Sequence, residues 1–288
     1  MTAATPIYVF FRDAIVPQEK ALVHVSDLAI QRGYGIFDFF KIENGHPFFL
    51  PDYLDRFYAS AEVMRLKVPY DRAQLTDIIY SLIEKNDLPS SGIKMLLTGG
   101  YSPDGYQIVA PNLILTQQAL TLPPPSQIEK GVKIITHHYV RDIPGVKTIN
   151  YSMGIWLTEK IAQQNATDVL YQSAGLVSEL PRSNFFIVKK DNSVWTAAGN
   201  VLRGVTRKNI LGLSSHPIRE GDVSLQDAYD AKEAFLTSTT KRIVPIVQID
   251  DQVIGDGKPG AVSLGLLKEL VRLEEEDVRK AAFAKKII

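Results

Sequence analysis

Three consecutive prolines, in Leu122-Pro-Pro-Pro-Ser126, divide this chain. Each proline lacks an N–H and has a locked φ, so the run can enter neither a helix interior nor a central strand, and it forms a stiff spacer. On either side lies enough chain for a domain of its own within the 288 residues. Both sides mix short strands with amphipathic helices. The sequence therefore predicts an α+β protein with an N-terminal α/β domain over 1–120, a linker over 121–126 and a C-terminal α/β domain over 127–288.

Charge narrows the function. The 32 Lys and Arg balance 32 Asp and Glu, and no run of like charges stands out. A nucleic-acid binder should show a basic face, and a membrane-surface module a polybasic cluster. There is no cysteine, which excludes disulfides, thiolate metal sites and cysteine nucleophiles. No apolar run reaches the roughly 18 residues of a membrane span. The N-terminal MTAATPIYVFFRD has no cationic region ahead of an apolar core. The expectation is a soluble, cytoplasmic globular protein, and Asn165-Ala-Thr167 reads as a chance sequon.

Taken in order, Ile7–Phe11 and Ala14–Val16 read as strands about the Arg12-Asp13 turn. Gly33-Tyr34-Gly35 is a bend, Ile36–Ile42 a strand, Asn44-Gly45 a hairpin turn and Pro47–Leu50 the return. Helices follow over Pro51–Leu66, with Leu54, Phe57, Ala61 and Met64 on one face, and over Asp71–Asn86. Gly92–Leu97 and Pro111–Gln117 read as strands around the loop Thr98–Tyr106. Beyond the prolines come a strand at Gly131–Val140, a helix at Tyr151–Gln164, and strands at Asp168–Gln172, Leu176–Ser178, Asn184–Lys189 and Val194–Thr196. Gly204-Val-Thr206 opens a helix over Arg207–Leu213, Ala228–Glu233 reads as helix, and Ala234–Thr239 and Ile243–Ile249 as strands. Ala261–Ala281 is a closing amphipathic helix.

Five pieces carry chemistry. Lys147 sits in Gly145-Val-Lys-Thr-Ile-Asn-Tyr151, between a strand and a helix, where an amine can be held rigidly and partly out of water. Arg56, in Asp55-Arg-Phe-Tyr-Ala-Ser-Ala-Glu62, offers a guanidinium fork for phosphate oxygens. Glu179 follows a short strand in Val177-Ser-Glu-Leu-Pro181. Gly204-Val-Thr206 ahead of a helix suits an anion, and Ser238-Thr-Thr240 after an apolar strand offers hydroxyls and N–H groups. A lysine for an aldehyde, a carboxylate for a pyridine nitrogen and contacts for a phosphate are what a pyridoxal phosphate enzyme needs. No metal site is expected, since His137 and His138 would point to opposite faces of a strand.

In order along the chain, DLAIQRGYGIF (27–37), LDRFYASAE (54–62), VKTINY (146–151), VSELPRSNFF (177–186), LRGVTR (202–207) and FLTSTTKRIVPI (235–246) resemble the class IV, fold type IV, pyridoxal-phosphate aminotransferases. That family includes D-amino-acid aminotransferase, branched-chain aminotransferase and aminodeoxychorismate lyase. LDRFYASAE and FLTSTT look most like the D-amino-acid branch.

The resemblance implies pyridoxal 5′-phosphate as cofactor and Lys147 as the Schiff-base lysine and proton carrier. It implies Glu179 at the pyridine nitrogen and Tyr151 near the 3-oxygen. Arg56, Val205, Thr206 and Thr239 would lie at the phosphate, with Ser238 beside it. It also implies two α/β domains, a homodimer, and an amino donor with a 2-oxo acid acceptor.

The substrate positions depart from the pattern. Where the D-amino-acid branch has a tyrosine and an Arg-x-His loop, this chain has Phe37 and Asp104-Gly105-Tyr106, and a carboxylate there would repel a carboxylate substrate. The tyrosine and arginine of the branched-chain group are replaced by Gly92 and Lys94. Arg182, three residues after Glu179, stands where many relatives have a small residue. Phe37, Lys94, Tyr106 and Arg182 are the substrate-pocket candidates, with Lys41 as a further cation. A lyase of the aminodeoxychorismate type and a non-catalytic protein with this fold are the competing readings.

Overall fold

Alternating burial organises the N-terminal half. In the computed structural model, which describes residues 7–213 and 215–284, six strands pair antiparallel in the order β2-β1-β6-β5-β3-β4. They are β1 (Tyr8–Phe11), β2 (Ala14–Pro17), β3 (Gly35–Glu43), β4 (His46–Pro47), β5 (Ser90–Thr98) and β6 (Leu113–Ala119), with helices α1 (Leu28–Arg32), α2 (Leu50–Val63) and α3 (Arg72–Asn86). Along β3 the side chains of Ile36, Asp38, Phe40 and Ile42 are fully buried, whereas Phe37 and Phe39 on the other face are half-buried. Leu54, Phe57, Ala61 and Met64 are buried as the helical spacing predicts. Asp71 caps α3, exchanging hydrogen bonds with Gln74 in a capping box.

The strand expected over Pro47–Leu50 shrinks to His46–Pro47. Phe49 turns left-handed, φ 50°, and launches α2 from Leu50. A fixed point of this half is Asp27, which opens the DLAIQRGYGIF stretch. Its Oδ1 accepts the N–H of Ala29, capping α1, and its Oδ2 accepts Thr98 Oγ1 and Asn112 Nδ2, each at 2.8 Å. One buried carboxylate thus ties the loop before β3 to β5 and to the segment entering β6.

In the C-terminal half, ten strands form a mixed sheet. Here α4 (Ser126–Lys130), β7 (Val132–His138), α5 (Ser152–Trp156), α6 (Thr158–Gln163), β8 (Asp168–Ser173), β9 (Leu176–Val177), β10 (Glu179–Leu180), β11 (Ser183–Val188) and β12 (Val194–Ala197) follow in turn. After them come α7 (Val205–Leu211), β13 (Ile218–Gly221), α8 (Leu225–Tyr229), β14 (Glu233–Ser238), β15 (Arg242–Ile249), β16 (Gln252–Val253) and α9 (Ala261–Ala284). The main path runs β13-β12-β11-β14-β15-β7-β8-β9, with β10 on β11 and β16 on β15. The sheet curls back on itself: the carbonyl of Tyr171 in β8 accepts both the N–H and the hydroxyl of Ser178, just before β10. Val262, Leu266 and Leu270 of α9 pack on Phe186 and Phe235.

Two expectations here are corrected. The single helix expected over Tyr151–Gln164 is two, separated at Leu157, which is wholly buried in a cluster with Ile135, Val169 and Tyr171. The helix expected over Ala228–Glu233 lies earlier, because Ser224 and Asp227 form a capping box at its start. Glu233 instead begins β14, and its carboxylate accepts the N–H groups of Val262 and Ser263 at the start of α9.

The chain divides into two compact units, one of residues up to Leu120 together with Val146–Asn150, the other of Thr121–Gly145 together with Tyr151 onward. Lys147, expected with the C-terminal half, belongs to the first unit. The reason is backbone pairing: Phe37 donates its N–H to the carbonyl of Lys147, Ile149 donates to that of Gly35, and Thr148 bridges Ile36.

Replacing Asp27 by alanine strands the Thr98 hydroxyl and the Asn112 amide in the interior. Asp27→Ala should lower the unfolding free energy by about 3 kcal/mol in a urea titration, and an unchanged midpoint would contradict this account.

Candidate active site

Backbone pairing fixes Lys147. The residue is half-buried, and its carbonyl is held by Phe37 at 2.9 Å. Gly35 makes this approach possible, since a Cβ there would meet the carbonyl oxygen of Leu97 at 2.8 Å and Ile149 at 3.2 Å. The Lys147 ammonium lies 4.7 Å from the centre of the Phe37 ring, and the Lys94 ammonium 5.9 Å from the same ring. Phe37 therefore joins the candidate lysine to an exposed cation of β5.

Arg56 reaches from α2 to Asp38 of β3. Its Nε donates to Oδ2 at 2.8 Å and its Nη2 to Oδ1 at 2.6 Å, in the bidentate geometry that suits a guanidinium. Asp38 is fully buried, so this ion pair fixes the Arg56 head. Lys41, the further cation among the substrate-side candidates, is buried with its ammonium 4.9 Å from the Phe48 ring. Asp104 closes its own loop: its Oδ1 accepts Ser102 Oγ and the N–H groups of Tyr106 and Gln107. The Gln107 and Tyr106 amides, then the Ser102 hydroxyl, hold its carboxyl below the usual range. Tyr106 is 84% exposed.

In the second unit the centre is Glu179, which is 4% exposed where its residue type predicts a surface position. Oε1 accepts Arg141 Nε at 2.8 Å and pairs with Nη2 at 2.6 Å. Oε2 accepts the N–H of Leu202 at 2.8 Å and Asn184 Nδ2 at 3.4 Å. Guanidinium, amide and backbone N–H all present hydrogen to this carboxylate, which suits its anionic form.

Strand register extends the site. Glu179 pairs with Asn184, and Asn184 with Thr237, so the three side chains share one face across β10, β11 and β14. Asn184 also donates to the carbonyl of Leu202 at 2.8 Å, two residues before the Gly204 that precedes α7. A Cβ on Gly204 would overlap Asn184 Oδ1. Glycine thereby brings the α7 N-terminus, with Val205 and Thr206, against the Glu179 row. Ser238 and Thr239 follow Thr237 directly. The Thr237 hydroxyl is buried with no hydrogen-bond partner among the described residues, a donor left over on the face that carries Glu179. An acidic group beside an anion-type helix start and a turn of hydroxyls fits a phosphorylated pyridine.

Tyr151 stands at the start of α5, half-buried, and Gly154 of the same helix packs against Pro181 and the Tyr171 hydroxyl. Burial pushes the Tyr171 phenol far above its ordinary value, with Tyr139, Asp168 and Glu179 adding and Arg141 opposing. Arg182 is exposed on the turn between β10 and β11. The structure gathers Glu179, Val205, Thr206, Ser238 and Thr239 in one unit, and Lys147, Phe37, Lys94 and Arg56 in the other. Arg141, Asn184 and Asp38 escaped the sequence reading. Asn184 lies in the VSELPRSNFF stretch with no role assigned to it, Arg141 and Asp38 lie outside the quoted stretches, and each role became visible only through a partner.

The family model described as amino-transferase class IV matches residues 35–249. The chain belongs to the class IV aminotransferases. A D-alanine aminotransferase of Listeria monocytogenes serovar 1/2a is 30% identical over 291 residues, covering 96% of this chain and 99% of that one. The fold is also that of a T.th. branched-chain amino acid aminotransferase solved with pyridoxamine 5′-phosphate (TM-score 0.86, 23% identity, 94% and 95% coverage). A branched-chain aminotransferase of Thermoproteus uzoniensis solved with norvaline is similar in fold (TM-score 0.85, 22% identity, 96% and 97% coverage). Class IV aminotransferases are pyridoxal-phosphate enzymes, and this chain is an aminotransferase with that cofactor.

Removing Arg141 from this class IV enzyme leaves a buried carboxylate without its cation. Arg141→Met should destabilise the apoprotein by about 3 kcal/mol, and adding Glu179→Gln should restore part of that loss. Equal denaturation midpoints for the single variant and the parent would refute the pairing.

Proposed function

We propose that this aminotransferase takes the amino group of an amino acid, with a D-amino acid as first choice, and passes it to a 2-oxo acid. The observation that carries this reading is the row of Glu179, Asn184 and Thr237 set against the Gly204-Val205-Thr206 helix start. The D-alanine aminotransferase named above supports the choice of donor.

In this reading Glu179 holds the pyridine nitrogen in its protonated form. Val205 and Thr206 give their N–H groups, and Thr206, Ser238 and Thr239 their hydroxyls, to the phosphate. Arg56, steadied by Asp38, adds a cation there. Tyr151 borders the 3-oxygen. The cofactor, when bound, supplies an aldehyde and an electron-accepting ring. Lys147 would hold that aldehyde, and its amine, once freed, would be the base that moves the proton at the substrate's α-carbon.

For the substrate we assign the carboxylate to Lys94. Among the described residues no carboxylate pairs with this exposed lysine, and its ammonium faces the ring that Lys147 also contacts. Arg182 is a second cation within this proposal, and Phe37 with Tyr106 gives apolar surface. Asp104, turned into its own loop, does not oppose a carboxylate there. We further read the protein as a cytoplasmic homodimer. Exposed Ile155 and Trp156 on α5 offer apolar surface to a second copy, and sedimentation of the purified protein at monomer mass would refute the dimer.

The deciding experiment is a visible spectrum of the purified protein with added pyridoxal phosphate, before and after D-amino acids, L-amino acids and amines. Bleaching by D-amino acids supports the proposal. Bleaching by L-amino acids alone moves the donor to the branched-chain type, and pyruvate release without an acceptor moves the reaction to the lyase. Lys147→Ala should abolish borohydride-fixable cofactor, and a retained covalent adduct would place the attachment elsewhere. Lys94→Met should raise KM for amino acids by roughly tenfold, about 1.4 kcal/mol, with less effect on amines.

A further inference from the structure

The turn between β14 and β15 is fixed from two sides by ion pairs that point in different directions. Ser238 pairs with Arg242 across the hairpin, which leaves Thr239, Thr240 and Lys241 at its tip. Arg242 is left-handed, φ 55°, a conformation that a bulky residue keeps only where its surroundings enforce it. Its side chain is held by Glu274 of α9, buried, whose Oε2 lies 2.8 Å from Arg242 Nε and 2.7 Å from Nη2.

Lys241 goes the other way. Its ammonium is 3.3 Å from Asp168 Oδ2 at the start of β8, and the two side chains are only 17% and 8% exposed. Its backbone N–H donates to Ser238 Oγ at 3.2 Å. The second carboxylate oxygen of Asp168 accepts the N–H of Val169. Closing a hairpin of this kind asks only for polar or glycine residues. A lysine whose charge is drawn largely out of water costs desolvation that turn formation alone does not require.

We propose that Asp168 and Lys241 are a positioning pair that sets the Ser238–Thr240 turn to receive the cofactor phosphate, with the Lys241 ammonium favouring the dianion. The inference rests on the phosphate role given above to Thr239 and the α7 start. The pair acts by two physical routes. Geometrically, Lys241 draws the tip of the turn toward β8 while its neighbour Arg242 is held against α9 where β15 begins. Electrostatically, Lys241 neutralises Asp168, whose carboxylate, if left alone, would oppose an incoming phosphate.

The test is an equilibrium titration of resolved apoprotein with pyridoxal phosphate and, separately, with pyridoxal, together with apoprotein melting. Lys241→Met should bind pyridoxal phosphate roughly tenfold more weakly, while pyridoxal, which lacks the phosphate, is affected by less than about twofold. Lys241→Arg, which keeps the charge, should recover most of the affinity. Asp168→Asn should weaken binding less than Lys241→Met, because it leaves a cation rather than an anion behind. Equal losses for pyridoxal and pyridoxal phosphate, or a lower melting temperature with unchanged affinity, would overturn the proposal. Parent protein that binds pyridoxal phosphate beside a Lys241→Met variant of equal affinity would refute the pair alone. Parent protein that takes up none would instead refute the site on which it rests.

Discussion

A carboxylate withdrawn from water has to be met by donors at fixed places, and in this protein Glu179 sets those places for the second unit. Its two oxygens draw in Arg141 from beyond β7, the Leu202 N–H from the segment before α7, and Asn184 from β11. Arg141 in turn donates to the carbonyl of Pro144, three residues before Lys147. One guanidinium therefore holds both the buried anion and the strap that leads to the candidate catalytic lysine. Isolated, such an ion pair contributes little net stability, because desolvation offsets the attraction. What the arrangement secures is position: the acid cannot shift without unpairing three separate segments.

The same logic explains which parts of the protein were legible in its sequence. Strands with alternating apolar residues and the α2 face needed only local periodicity, and residues 36–42 and 54–64 behave as that periodicity requires. The motif residues could be proposed from the sequence because aminotransferase chemistry fixes residue types at set intervals. Arg141, Asp38 and Asn184 were not, since their significance lies in partners 38, 18 and 5 residues away that only the fold defines. Lys41 illustrates the reverse error. Its residue type predicts solvent, yet its stem is buried and its ammonium rests on Phe48. The helix expected over residues 151–164 is divided at Leu157, whose side chain is buried with Ile135, Val169 and Tyr171, and helix propensity does not place that division.

Within the first unit, the backbone of Lys147 is held by strand-like pairing. Its carbonyl and the N–H of Ile149 extend the pairing of β3, so the segment is registered like a strand while its ammonium projects toward Phe37. In the role proposed for it, Lys147 would let go of one partner and take another, and fixing through the main chain, which does not change during the exchange, suits that role. Arg56 shows the complementary solution. Its head is locked by a fully buried carboxylate, so the ordering entropy of a long flexible side chain is lost on folding.

The substrate side is where family pattern and physical reading diverge, and the geometry resolves part of the conflict. Asp104 in place of a cationic residue suggests a site hostile to carboxylates. Such hostility requires a carboxylate directed at the substrate. Instead its Oδ1 is committed to three donors within residues 102–107, and those hydrogen bonds stabilise the charged form where it stands. An Asp used in this way is a loop-forming residue of the Asx type, and its charge is screened in an exposed loop. The remaining cation without a carboxylate partner on β5 is Lys94, opposite Phe39 and over the ring of Phe37. A carboxylate trap made of a flexible ammonium and an aromatic face, in place of an arginine fork, would bind by charge more than by bidentate geometry. Such a trap should tolerate variation in how the carboxylate is presented, and so discriminate less sharply between donors than the rigid fork of its relatives.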